Sequence, residues 1–108
     1  MDLIQKKCQA CEGGTKPLRP DLIEDLKKQI NPGWQVVDGK KIQREFKFKN
    51  FREAMVFINK IADLAESEGH HPDINLHGWN KVTLSLSTHA IGGLSENDFI
   101  LAAKIDRA

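Results

Sequence analysis

The sequence has no excess of either charge, no long apolar run and almost no cysteine. Sixteen basic residues are set against fifteen acidic ones in 108 residues, a formal net charge of +1. They are interspersed along the chain, so the pattern lacks the basic face that nucleic-acid binding requires. No apolar run approaches the ~20 residues of a membrane-spanning helix. The opening Met1-Asp2-Leu3-Ile4-Gln5-Lys6-Lys7 has no apolar core of the kind a signal peptide carries. The expectation is a cytoplasmic protein with neither nucleic acid nor membrane as a partner. Cys8 and Cys11 are the two cysteines and make a single C-x-x-C. That is half of the four ligands a closed zinc site needs. Gly13, Gly14 and Pro17 follow where a thioredoxin-like motif would have a helix. The pair reads as two reduced thiols in a flexible N-terminal arm, residues 1–16.

What is present is one small domain's worth of chain, expected over residues 17–108. Domains of this size are often helped by oligomerisation. Leu22, Ile23, Leu26 and Ile30 recur at helical spacing after Pro20, so a first helix is expected from Pro17 to Ile30 and ends at Asn31-Pro32-Gly33. Asp38-Gly39 is a two-residue hairpin signal between a strand at Trp34–Val37 and one at Lys40–Lys49. Ile42, Phe46 and Phe48 share a face of the second strand, and Arg44 interrupts it, so that end is expected to be exposed.

Asn50, with Glu53 three residues on, reads as the capped start of a helix from Phe51 to about Ser67. Its apolar residues cover more than one stripe. The surplus, read as Phe57, Ile61 and Leu64, suggests a contact with a second subunit. Gly69 ends this helix and Pro72 keeps it ended. A short strand at Ile74–Leu76 and a longer one at Asn80–His89 come next, the latter with Val82, Leu84 and Leu86 facing the core. Thr83, Ser85, Ser87 and His89 then share the other face. Ser95 is the expected cap of a last helix, Glu96 to about Arg107. The order helix, two strands, helix, two strands, helix describes an α+β domain, an antiparallel four-stranded sheet with helices on one face.

Three of the four histidines, His70, His71 and His89, fall in the stretch from Gly69 to Asp98. Histidine exchanges protons near neutrality. Three readings stay open from the residues alone. The histidines are plain surface residues; they are metal ligands, with Asp98 as a fourth; or they form a metal-free acid–base site. Neighbouring side chains diverge, which makes one ion shared by His70 and His71 awkward. Neither His70, in a connection after Gly69, nor His89, off the core face, is expected to be core packing.

Several segments are specific when taken together: Gly69-His70-His71-Pro72-Asp73, Trp79-Asn80-Lys81-Val82, Ser87-Thr88-His89 and Gly93-Leu94-Ser95-Glu96-Asn97-Asp98. They resemble the signature of the pterin-4a-carbinolamine dehydratase family. Phe46-Lys47-Phe48-Lys49-Asn50-Phe51 and the hairpin after Trp34 resemble it too. The resemblance runs from the first helix onward and leaves Cys8 and Cys11 outside. It implies a hydro-lyase that removes water from a 4a-hydroxytetrahydropterin in tetrahydrobiopterin recycling, without a metal or other cofactor. It implies His70, His71, His89 and Asp98 as catalytic residues. Proton transfer falls to His70 and His89, a binding or shared role to His71, and orientation of a histidine to Asp98. Glu66, Ser87 and Thr88 join the three histidines as substrate-binding residues by the same resemblance. It further implies a homodimer or homotetramer and a functional link to an aromatic amino acid hydroxylase. Some relatives also serve as dimerisation cofactors of a transcription factor, an alternative function of protein binding without DNA contact. One departure is an extra residue near Leu76-His77-Gly78, where a bulge is expected and His77 is given no catalytic part.

Overall fold

A computed structural model of the chain describes residues 2–9 and 16–108. Four strands, β1 (Gln35–Val37), β2 (Lys41–Lys47), β3 (Asp73–His77) and β4 (Lys81–Leu86), form one antiparallel sheet in the order β1-β2-β4-β3. Three helices, α1 (Pro20–Lys27), α2 (Phe51–Glu68) and α3 (Glu96–Ile105), complete the expected α-β-β-α-β-β-α order. Short 3-10 turns lie at Leu3–Gln5 and His89–Ile91.

Local signals account for most of the element ends. Asp38 and Gly39 both take positive φ, 54° and 66°, and the Lys40 N–H closes the turn on the Val37 carbonyl at 3.0 Å, but Val37 pairs with Lys41, so the connection holds residues 38–40, one more than the expected two-residue turn. Asn50 accepts the Glu53 N–H at 2.8 Å, and the Glu53 carboxylate accepts the Lys49 N–H at 3.2 Å. Gly69 closes α2 in the left-handed region, φ 66°, where a side chain would be strained. On the sheet, Ile42, Val82, Leu84 and Leu86 are fully buried under the helices, while Gln43, Thr83 and Ser85 alternate onto the polar face.

Helix α3 is the centre of the core. Eight of its ten residues are buried, including Leu101 and Ala102 as well as the expected Phe99, Ile100, Ala103 and Ile105. A helix apolar on all sides needs partners all round. It has them in α1, α2, the sheet and the Leu3–Gln5 turn.

Several boundaries and faces depart from the expectations. α1 begins at Pro20 because Leu18 is spent on an extended contact, donating its N–H to the Leu94 carbonyl at 2.9 Å. The turn after α1 starts at Lys28, and Leu22 faces outward. Arg44 is not an exposed interruption: it reaches Asp106 at 2.6 Å and lies over the Phe46 ring. Asp106 also takes the indole N–H of buried Trp34 at 2.8 Å, so this corner is a polar cross-link under the core. No bulge interrupts β3, which pairs with β4 in unbroken register from Asp73↔Ser85 to His77↔Lys81. β3 and β4 are joined by a turn at 78–80, where Gly78 and Trp79 both have positive φ. β4 ends at Leu86, so His89 lies beyond the strand, in the 3-10 turn, and strand alternation does not set its direction. On α2, Ile61 is fully buried and Phe57 packs against Phe46 and Phe48, so the outward apolar residues are Phe51, Met55 and Val56.

The described part of the N-terminal arm lies against the domain. Leu3 is 3 % exposed within the core cluster, and Lys6 pairs with Glu96 at 3.1 Å. The Cys8 N–H donates to Glu68 at 2.9 Å, and its thiol to the Asn97 carbonyl. Burial and then the nearby Glu68 charge push the Cys8 thiol up to about 12, so it is protonated at neutral pH. Cys11 lies outside the described residues.

Candidate active site

Two chain reversals bring the site together. The first is the end of α2, where the turn at Gly69 sends His70 and His71 back towards the sheet, with the His70 N–H on the Ala65 carbonyl at 3.3 Å. The second follows β4. There Thr88 pairs with Gly93 across an isolated bridge, N–H to carbonyl at 2.8 Å one way and 3.4 Å the other. The bridge pinches off the turn that carries His89 and Ala90. Gly93 permits it by close approach, since a Cβ there would come within 2.9 Å of the Pro17 ring.

Asp98 joins the two reversals. Its Oδ1 lies 2.6 Å from His70 Nε2. Its Oδ2 accepts from the Thr88 hydroxyl at 2.9 Å and from the Ser95 N–H at 3.0 Å. The Thr88 and Ser95 hydroxyls are 2.7 Å apart. Asp98 therefore both completes the α3 capping box with Ser95 and partners a histidine, and it is completely buried. A buried carboxylate is tolerated when its lone pairs are filled in this way. The His70 side chain is 13 % exposed, more enclosed than its place in a connection suggests. With Asp98 accepting from Nε2–H, the neutral His70 ring presents Nδ1 as its proton acceptor.

His71 is held differently. Its Nε2 is 2.8 Å from Glu66, on the last turns of α2, but the side chains are 62 % and 78 % exposed. His70, His71, Ser87, Thr88 and His89 all line one open cleft of about 290 Å³. Glu66 borders it through His71. Larger clefts near Asp2 and Asp106 and beside Leu18 and Val36 bring no histidine to their walls, and another, of about 310 Å³ beside Lys40 and Lys41, shares Ser87, Thr88 and His89 with this one but neither His70 nor His71. His77 stands apart, bonded to Thr83 on the sheet's polar face. The four donors of the metal reading are not gathered: among the described residues no group of three or more His, Cys, Asp or Glu side chains could hold a metal ion. Gln9, Gly69, Ala90 and Asn97 also line the cleft, and none was expected to be a site residue. Asn97 lies inside the Gly93–Asp98 motif, but Gln9 carried no signal at all.

Imidazoles around a small cleft with one buried carboxylate behind them are chemically able to move protons. Comparison with known proteins names the family. Residues 16–108 match the family described as Pterin 4 alpha carbinolamine dehydratase. A protein of Rubrobacter xylanophilus with the provisional name pterin-4-alpha-carbinolamine dehydratase is 47 % identical over 98 % of this chain and 97 % of its own. One from Nitrosomonas eutropha with the same provisional name is 50 % identical, over 97 % of this chain and 91 % of its own. Among solved structures, a transcriptional coactivator/pterin dehydratase from Brucella melitensis superposes with a TM-score of 0.77 at 34 % identity, covering 85 % of this chain and 97 % of that one. A pterin dehydratase-like protein described as a RuBisCO assembly factor in the alpha-carboxysome gives 0.55 at 25 % identity, covering 68 % and 83 %. The chain belongs to the pterin-4-alpha-carbinolamine dehydratase family and is a hydro-lyase by that membership.

Proposed function

We propose that the protein dehydrates a 4a-hydroxytetrahydropterin to the quinonoid dihydropterin, with His70 and His89 transferring protons. The observation that carries this reading is the His70–Asp98 pair, 2.6 Å apart at the wall of a cleft that His71 and His89 also line. The reaction asks for little else. The C4a–O bond breaks, its oxygen leaves as water after gaining a proton, and the neighbouring ring nitrogen loses a proton as the C=N bond forms. One proton enters and one leaves, so two positioned imidazoles suffice. Asp98 fixes the His70 ring and leaves Nδ1 for the substrate. His71, with Glu66, serves binding. Ser87 offers its hydroxyl and backbone beside it, and Thr88 its backbone, the Thr88 hydroxyl being held by Asp98 and Ser95.

The rate of water loss from a freshly generated 4a-carbinolamine tests the reading. Catalysis that survives extensive chelation is expected; a loss restored by zinc would favour the metal alternative, with His70, His71, His89 and Asp98 as ligands. In the cell the reading puts the protein in the cytoplasm, beside an aromatic amino acid hydroxylase that supplies the carbinolamine. No helix of the described residues is long and apolar enough to cross a membrane. Assembly as a homodimer or homotetramer is part of the same reading, supported by the outward Phe51, Met55 and Val56 of α2. Sedimentation at low micromolar concentration checks it, and a fully active monomer would defeat it. A second reading, a protein-binding cofactor, is favoured by the coactivator and assembly-factor descriptions of the two solved neighbours. Retention of a specific protein partner by a protein with no dehydratase activity would decide for it.

A further inference from the structure

We propose that residues 8–9 form one wall of the pterin cleft, with Gln9 contacting the substrate and Asn97 positioning it. This rests on the dehydratase reading of the site and extends it to a segment outside the family-matched residues 16–108. Gln9 lines the same cleft as His70, His71 and His89. Its backbone is gripped at both polar groups by one side chain. The Gln9 N–H donates to Asn97 Oδ1 at 2.9 Å, and Asn97 Nδ2 donates to the Gln9 carbonyl. Asn97 is only 7 % exposed and makes this grip from within the fold.

A second fastening lies one residue earlier. The Cys8 N–H donates to Glu68, whose other oxygen takes the Lys104 ammonium at 2.7 Å. Both fastenings come from the elements that build the His70–Asp98 pair. Glu68 is two residues before His70, and Asn97 is next to Asp98. Any placement of His70 against Asp98 therefore also places Gln9 relative to them. Buried Leu3 anchors the far end of the segment, so residues 8–9 are held from both directions. A glutamine amide offers one acceptor and two donors. That chemistry matches the mixed donor and acceptor edge of a pterin's pyrimidine ring, and it adds nothing to proton transfer.

The expected signature is a loss of affinity without a loss of chemistry. In Gln9→Ala and in Asn97→Ala, KM for the carbinolamine and the dissociation constant of a stable dihydropterin should each rise about tenfold. The kcat and its pH profile should stay close to those of the unmodified protein. Thermal unfolding of both variants is recorded alongside. Gln9→Ala keeps both backbone bonds to Asn97, so it reads the contact even where Asn97→Ala folds poorly. Unchanged KM and dihydropterin affinity in Gln9→Ala would overturn the proposal and leave Asn97 as a structural clasp. Failure of the unmodified protein to bind any dihydropterin would overturn both this proposal and the dehydratase reading.

Discussion

Two histidine–carboxylate pairs lie side by side in this site and share almost nothing but their length. His70–Asp98 and His71–Glu66 are 2.6 and 2.8 Å apart, each through Nε2. Asp98 is sealed in the core, filled on both oxygens and tied to Thr88 and Ser95. Glu66 stands in solvent on the rim of a helix, 78 % exposed. An exposed pair is worth roughly 0–1 kcal/mol, because water screens it and two free side chains must be ordered. A buried one, once made, is expensive to break, because the abandoned charge stays out of water. The two pairs thus suit different work. The buried pair can hold an imidazole in one orientation through repeated turnovers. The exposed pair can give way to a ligand at little cost.

The comparison can be broken most severely at Asp98. Asp98→Ala should cost ~3 kcal/mol or more of stability, since it strands the Thr88 hydroxyl, the Ser95 N–H and the His70 ring together. It should also slow dehydration by ~100-fold or more. Denaturant unfolding and a dehydration rate on the same preparation measure both; a small stability loss would mean that the network is not the keystone described here.

His70→Ala and His89→Ala come next. Each should reduce the rate by about 100-fold, and the double variant by less than the product. Their stabilities should separate. His70→Ala leaves Asp98 Oδ1 without its donor and should cost roughly 1–3 kcal/mol. His89, exposed beyond the end of β4, should cost no more than ~0.5 kcal/mol. Equal stability losses would remove the distinction, and near-normal rates in both would remove the catalytic assignment.

Smaller effects belong to the outer pair. Glu66→Gln and His71→Ala should shift stability by less than ~1 kcal/mol. They should act mainly on KM, and a large fall in kcat would promote His71 to a proton-transfer group.

A third pair lies between the two in burial. Glu68–Lys104 is 2.7 Å long, with side chains 9 % and 18 % exposed. Burial raises the Glu68 carboxyl, but the hydrogen bonds from Lys104 and the Cys8 N–H outweigh it and hold the group below its ordinary value. A carboxylate depressed by folding stabilises the protein above its unfolded pKa of ~4.3 and loses that contribution as pH falls through the folded value. Glu68→Gln should therefore lower stability at neutral pH, where the ionised pair contributes, and flatten the acid limb of the stability curve below about pH 4. An unaltered acid limb would show that Glu68 carries none of this pH dependence.

Much of the frame was legible in the chain. The Asp38-Gly39 turn, the Asn50 cap, the stop at Gly69 and the alternation of Val82, Leu84 and Leu86 are all present where they were expected. Each depends on residues a few positions apart, so the local sequence suffices to determine it. The motifs around His70 and His89 identified the family in the same way, by side chains close along the chain.

Tertiary structure decided what depends on distant partners. Asp98 meets His70 from 28 residues away, Cys8 meets Glu68 from 60, and Gln9 meets Asn97 from 88. Periodicity told that α2 had more apolar residues than one stripe needs, but not that Ile61 would be buried and Val56 left in solvent. It missed the enclosure of α3, because a helix surrounded on all sides has no polar face to mark its orientation. The chain by itself settled the local elements and their order. The burial of Asp98, the placement of Gln9 and the outward face of α2 were settled by packing, because a side chain's environment is made by residues the chain brings back to it from far away.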